Sequence, residues 1–205
     1  MKNHGGRKDG NGSKAGTGIP ELRKPAAAAV NAVLERPASA SVPGNGTLPR
    51  HLVEVTTKYG TPDSTGTALL GQLPLLGIQT AKEIRVSTLY EITGKLSPNQ
   101  MQQMSRDLLS DPITQEYRVE RDTPSRAFLM GPHWRAEVWL KPTVTDPVGE
   151  SVCKAVKDLG LPEPAAVRTG MAYHIIGRLN KAQAERIVEK LLSNPVIHRT
   201  TLIQR

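Results

Sequence analysis

From residue 51 to its end, the chain alternates stretches of strand-like and helix-like polarity. In segments 51–58 (HLVEVTTK) and 135–141 (RAEVWLK), apolar side chains recur at every second position, which is typical of a strand with one buried face. Longer extended segments are predicted at 81–96 and 165–179, and closing strands at 113–120 and 196–204. Six strands are therefore expected, three in each half of this region.

Four helices are predicted between these strands. The first helix of each half follows a capping aspartate and ends at a glycine; these residues are Asp63 with Gly77 and Asp146 with Gly160. Pro74 is expected to kink or shorten the earlier helix. The buried stripes are expected at Leu69, Leu70, Leu73 and Leu76, and at Val152, Ala155, Val156 and Leu159. The second helices begin with capping-box patterns, at Ser97 with Gln100 and at Asn180 with Gln183.

The two halves are copies of one unit. When the sequence is shifted by 83 residues, the halves align without a gap, and identical residues coincide at turns, caps and apolar positions. The sequence therefore predicts an α+β fold made of two β-α-β-α-β repeats. Each repeat is expected to be a small, mainly antiparallel sheet with both helices on one face, and the two are expected to pack as a pseudo-dimer.

The segment before the first repeat has a different composition. Residues 1–48 are rich in Gly, Ala, Pro, Ser and Asn, and they predict a disordered basic tail because they bury too little apolar surface to offset the entropy of ordering. We expect repeat 1 at 49–121, a linker at 122–134 and repeat 2 at 135–205.

The net charge of +8 suggests a nucleic-acid partner until its distribution is considered. Five of these charges lie in residues 1–50, which argues against a nucleic-acid site on the repeats and leaves a weak polyanion tether in the tail as an alternative.

No stretch approaches the ~18 apolar residues that cross a bilayer, and no apolar segment follows the basic N-terminus. A cytoplasmic protein is therefore expected, and the single cysteine, Cys153, is predicted to be an inert buried thiol.

Each polar residue that recurs in both repeats has a structural interpretation beside a functional one. Lys58 and Lys141 either flank a strand in solvent or contact a partner or phosphate. Asp63 and Asp146 are helix caps or general bases, and Gly66 and Gly149 allow close packing. Arg85 and Arg168 either pair across the sheet or bind a carboxylate at an interface, and Tyr90 and Tyr173 pack at a sheet edge or act as acids.

No nucleophile, base and orienting residue recur together, and the five histidines have no metal-binding spacing, so no catalytic or metal site is expected.

The second repeat resembles PurS, the small subunit of phosphoribosylformylglycinamidine (FGAM) synthase. The resemblance is carried by LKPTVTDPVGESVCKAVKDLGL (140–161), VRTGMAY (167–173) and LLSNPVIHRT (191–200), and in the first repeat by TPDSTG (61–66) and LLSDPITQEY (108–117). Three departures stand out. Met171 replaces the lysine of the family pattern VRxGK, Ser87 and Thr88 replace its Gly-Lys pair in the first repeat, and His198 replaces the acidic residue after NPVI.

The resemblance implies a non-catalytic bridging subunit in de novo purine biosynthesis. Subunits of this family pair as dimers between the ATP-dependent synthetase PurL and the glutaminase PurQ, and they support assembly and ammonia transfer. Two fused copies would imitate one dimer. The complex converts formylglycinamide ribonucleotide (FGAR), glutamine and ATP to FGAM, with ATP and Mg²⁺ expected on PurL and no cofactor on this chain. The candidate interface residues are then Lys58, Asp63, Gly66, Arg85, Lys141, Asp146, Gly149 and Arg168.

Two functions of other classes stay open at this point. Tandem α+β units also serve as ligand-sensing regulatory modules, in which an amino acid or nucleotide binds between the copies. A basic-tailed RNA-binding protein is the other alternative. The repeats could also pair within one chain or across two chains.

Overall fold

All six predicted strands form, and they join into one antiparallel sheet. The computed structural model describes residues 48–121, 129 and 131–205, so nearly all of the predicted tail and most of the predicted linker lie outside the described residues. The strands are β1 (Arg50–Thr57), β2 (Ala81–Thr93), β3 (Gln115–Arg121), β4 (Trp134–Leu140), β5 (Ala166–Gly177) and β6 (His198–Gln204). Their order across the sheet is β3-β1-β2-β5-β4-β6.

The four helices lie where the sequence predicts them, so the β-α-β-α-β order of both repeats is confirmed. They are α1 (Ser64–Gln72), α2 (Pro98–Met104), α3 (Pro147–Asp158) and α4 (Lys181–Ile187). Pro74 shortens α1, as predicted, because the chain changes to a 3₁₀ turn over Leu73–Leu76 before it ends at Gly77. Both predicted capping boxes form, at the starts of α2 and α4. These two helices also end in equivalent π-helical turns, Ser105–Leu109 and Val188–Leu192.

One prediction about α3 is wrong. Leu159 was expected in the buried stripe, but it is 38% exposed because the helix ends at Asp158 and Gly160 turns the chain with a φ of 73°. Leu161 packs against the core instead.

The two repeats meet at the centre of the sheet through β2 and β5. These strands are antiparallel, and Thr88 pairs directly with Met171. Because these two residues are equivalent under the 83-residue shift, a pseudo-twofold axis passes between them. The predicted pseudo-dimer is thus a single continuous sheet, in which each repeat contributes three adjacent strands.

Helices α1 and α3 each pack on the long strand of their own repeat and also join a core cluster that includes the other repeat. Leu73 and Ile78, from the α1 segment of repeat 1, pack with Trp134, Ile175 and Ile187 of repeat 2. In the other cluster, Val152 and Val156 of α3 pack with repeat 1, against Val53, Val55, Ile92, Met101 and Met104. Each core therefore draws side chains from both repeats, and neither repeat has a complete core of its own.

Candidate functional site

The recurring aspartates connect helices to the sheet. Asp63 accepts a hydrogen bond from the Gly66 backbone N–H at 2.8 Å and a second from Val86 N–H on β2 at 2.7 Å. In repeat 2, Asp146 accepts equivalent bonds from Gly149 N–H at 2.8 Å and Thr169 N–H at 2.6 Å. The predicted capping role is therefore confirmed, and each carboxylate also fixes the helix to the strand beneath it.

The recurring glycines allow that close contact. A Cβ on Gly66 would lie 1.9 Å from the Ile84 carbonyl oxygen, and one on Gly149 would lie 2.4 Å from that of Val167. Any larger residue would push the first helical turn away from the strand.

The recurring cations bind backbone carbonyls within the same repeat. Arg85 donates to Thr57 O at 2.6 Å, and Lys58 donates to Pro112 O at 2.5 Å. The bonds of Arg168 to Leu140 O at 2.7 Å and of Lys141 to Pro195 O at 2.5 Å repeat them. The eight candidate interface residues thus form two equivalent clusters, one at the end of the first strand of each repeat. Each cluster holds helix, strand and closing loop together, and its contact with another subunit stays a prediction.

A second polar cluster joins the two repeats on the sheet face opposite the helices. The Arg135 guanidinium on β4 binds both carboxylate oxygens of Glu54 on β1, at 2.8 and 3.0 Å, and its Nε donates to Glu137 at 3.1 Å. Arg135 has no exposed surface, Glu54 is 2% exposed and His174 is 1% exposed. We call Glu54, Arg135, Glu137 and His174 the Arg135 cluster.

The bond between Arg135 and Glu54 crosses the central strand pair. Strands β1 and β4 are separated by β2 and β5, or about 14 Å at the usual strand spacing, so both side chains must extend over the axis. Burial alone would lower the pKa of Arg135, but the hydrogen bonds and charge of Glu54 outweigh it and raise that pKa. A bidentate pair of this kind is among the stronger protein ion pairs, and here it joins repeat 1 to repeat 2.

His133 and His174 extend the polar contacts of the Arg135 cluster. His133 Nδ1 lies 2.8 Å from Gly131 O, a carbonyl that can only accept, so this nitrogen carries the proton. His133 Nε2 lies 3.3 Å from His174 Nδ1, and His174 Nε2 lies 3.3 Å from Arg135 Nη1 and 3.1 Å from Glu54 Oε1. Burial is the largest influence on His174 and lowers its pKa, ahead of the opposing effect of its hydrogen bond with Glu54, so the neutral form of the ring is favoured.

Sequence reasoning missed the Arg135 cluster. The recurrence of Glu54 and Glu137 was the available signal, but Arg135 and His174 have no counterpart in repeat 1, where Leu52 and Glu91 occupy their positions. The alternation that places Val53 and Val55 under the helices assigns Glu54 to the other face, and it does not indicate that this face is buried.

Two cavities lie near the contact between the repeats. One of about 230 Å³ is lined mostly by repeat 2, including Val138, Met171 and Tyr173, with Thr88 from repeat 1. The other, of about 400 Å³, includes Lys82, Glu83 and Arg178, all of them exposed.

Within the described residues, no group of three or more His, Cys, Asp or Glu side chains could hold a metal ion. Cys153 is half-buried, and burial raises the pKa of its thiol.

Comparison with known proteins gives matches in both halves of the chain. The family model for PurS, described as phosphoribosylformylglycinamidine (FGAM) synthase, matches residues 50–123 and again residues 133–204. The synthase subunit PurS of Archaeoglobus fulgidus is 38% identical over 71 residues, which cover 32% of this chain and 89% of that protein.

A solved structure is also similar. The crystal structure of Methanocaldococcus jannaschii PurS, described as one of the subunits of formylglycinamide ribonucleotide amidotransferase in the purine biosynthetic pathway, is 29% identical with a TM-score of 0.34. The match covers 37% of this chain and 96% of that one.

The fold and the contact between the repeats define a class of protein. It is a tandem α+β pseudo-dimer in which two copies of one small unit share a sheet and a core. The two family matches cover more than half of the chain, so it belongs to the PurS family, as a tandem duplication. PurS is a subunit of FGAM synthase, an enzyme complex of purine biosynthesis. No helix in the described ranges is long and apolar enough to cross a membrane.

Proposed function

We propose that this chain is the non-catalytic bridging subunit of FGAM synthase, in which one polypeptide takes the place of a PurS dimer. The observation that carries the proposal is that both family matches fall on repeats paired through β2 and β5 about one pseudo-twofold axis.

In this proposal the chain contributes contacts, and the chemistry belongs to its partners, PurL and PurQ. The residues that recur in both repeats are engaged in hydrogen bonds that support the fold, as Asp63 and Asp146 illustrate. ATP and Mg²⁺ would bind to PurL, and ammonia released by PurQ would reach PurL within the assembly. A cytoplasmic location is part of the proposal, and the single cysteine is consistent with a reducing compartment.

One helical surface is a better candidate than its equivalent for the contact with PurL. Residues 64–81 contain no charged side chain, whereas the equivalent residues 147–164 contain Glu150, Lys154, Lys157, Asp158 and Glu163. Leu75, in the 3₁₀ turn after α1, is 86% exposed, and its counterpart is Asp158. The centres of protein interfaces are depleted in charge. We therefore place the contact with PurL on the α1 surface of repeat 1 and leave the α3 surface in water.

Reconstitution tests the proposed function. Purified PurL and PurQ are assayed for FGAM formation with glutamine and, separately, with ammonium as nitrogen source, with and without this chain. We expect the chain to co-elute with PurL and to raise the glutamine-dependent rate much more than the ammonium-dependent rate. Equal glutamine-dependent rates with and without the chain, together with separate elution, would refute the proposal.

A further inference from the structure

The sheet face opposite the helices has diverged between the two repeats. Glu54 and Glu137 are identical, but the positions around them differ in charge or size. The differing pairs, repeat 1 first, are Leu52 and Arg135, Thr56 and Trp139, Leu89 and Ala172, and Glu91 and His174. These differences meet across the axis, where Arg135 binds Glu54 and where Leu52 and Leu89 pack with Trp139 and Ala172.

A pair made of two first repeats would lose the charge balance of this face. Leu52 would replace Arg135 at both positions, so two Glu54 carboxylates would be buried without that guanidinium. A buried charge that lacks its partner is strongly unfavourable.

A pair made of two second repeats would lose the packing. Leu89 is fully buried, and Ala172 would replace it, leaving space where its side chain lies. A second Trp139 would replace the smaller Thr56 at the same time.

We propose that this face, centred on the Arg135 cluster, is a recognition surface that accepts only the other repeat. Repeat 1 pairs with repeat 2, and both reject a second copy of themselves. The chain therefore does not form homotypic pairs with other chains. This inference rests on the geometry of the joint and is independent of the proposed function in FGAM synthase.

The axis offers a direct reporter of pairing. Thr88 and Met171 are opposite each other, and directly paired antiparallel residues have Cα atoms about 4.5–5.5 Å apart, within the range a disulfide spans. In the full chain carrying Cys153→Ala, no natural cysteine remains. A lone cysteine from Thr88→Cys can then form a disulfide at this position only if two first repeats pair across two chains.

Full-length variants are refolded from denaturant at high protein concentration, oxidised and separated by non-reducing electrophoresis. With Thr88→Cys alone we expect essentially no disulfide-linked dimer, and with Thr88→Cys plus Met171→Cys we expect an intrachain disulfide. Moving the arginine to repeat 1, by Leu52→Arg with Arg135→Leu, gives a pair of first repeats its own counter-charges. We expect the Thr88→Cys dimer fraction to rise at least tenfold in that background.

Two results would overturn the inference. One is abundant Thr88→Cys dimer in the parent background. The other is an unchanged dimer fraction after the arginine is moved. The same double substitution combined with both cysteines shows, by its intrachain disulfide, whether the moved-arginine variant still folds, so a negative result stays interpretable.

Discussion

At the residue scale, the recurring glycines are the positions with the least tolerance for substitution. Gly149→Ala would place a methyl group 2.4 Å from the Val167 carbonyl oxygen, so the helix must shift. We expect the free energy of unfolding to fall by about 1–3 kcal/mol. Gly71→Ala is the matched control, because a Cβ there has no neighbour within 4 Å and the position is inside α1. That variant should gain roughly 0.5–1 kcal/mol. Urea unfolding of both variants checks the contrast, and equal losses would contradict it.

A second residue-scale prediction concerns pH. Burial holds the pKa of His174 below its ordinary value of 6.5. Below about pH 6.5, His174 therefore binds a proton in the unfolded chain while it stays neutral in the folded chain. The free energy of unfolding should therefore decrease as pH falls from 6.5 towards the folded pKa. His174→Gln removes the titrating imidazole, so the free energy of unfolding of this variant should depend less on pH over this range.

The comparison is made by urea unfolding of parent and variant at several pH values between 7.5 and 5. The groups facing His174 are Glu54 on β1, Arg85 on β2, Arg135 on β4 and His133, and all are present in both proteins. Identical pH slopes for parent and variant would mean that His174 does not contribute.

Residues whose role depends on nearby sequence could be predicted, and those whose role depends on distant strands could not. Asp63 and Gly66 are three residues apart, and a cap followed by a helix is a local pattern. Arg135 and Glu54 are 81 residues apart and His174 and Glu54 are 120 apart, so their meeting depends on the order of strands in the sheet. The alternation of apolar and polar residues along a strand shows which side chains share a face of the sheet. It does not show whether the polar face is also buried.

At the element scale, α1 and α3 provide each other's control. Thr67→Glu, Gly71→Lys and Leu75→Asp transfer the charges of Glu150, Lys154 and Asp158 to equivalent exposed positions of repeat 1. If the α1 surface contacts PurL, the triple variant should keep its melting temperature within a few degrees and bind PurL at least tenfold more weakly. Reversing the charges of α3 should leave binding unchanged.

The measurement is co-elution or titration of PurL with each variant, beside thermal unfolding of the variant alone. Unaltered binding of the α1 variant would exclude this surface while leaving the bridging function itself open. Equal loss in the α3 variant would point to both helical surfaces.

Helical periodicity predicted that α1 and α3 have a buried side, but it did not show what that side covers. Leu73 could pack on its own repeat or on the other, since the same spacing serves both. The structure places it in one cluster with Ile84 of its own repeat and with Trp134 and Ile187 of repeat 2. That choice depends on how the helix lies over the sheet, which local sequence does not encode.

At the scale of the whole molecule, the shared cores make the two repeats one folding unit. A protease site inserted within 123–127 allows the chain to be cut between them. We expect the fragments to remain associated after cleavage, because separating them would expose both core clusters. The intact chain should unfold in one transition whose midpoint does not depend on protein concentration, whereas the cleaved protein should melt at a temperature that rises with concentration.

Gel filtration of the cleaved protein and calorimetry at two concentrations make this measurement. Separation of the fragments into two folded species, or two transitions in the intact chain, would show that each repeat is stable alone.

The packing of α1 and α3 into cores that both repeats share also affects how this sequence can change over evolutionary time. Leu73 shares a core cluster with Ile187 of the opposite repeat, so a change that compensates for a substitution at Leu73 is expected in the opposite copy as well as in its own. Related tandem chains should therefore show correlated substitutions between the halves, at pairs such as Leu73 with Ile187 and Met101 with Val156. Deletion of either half would remove part of both cores, so the duplication, once its halves have diverged, is hard to reverse.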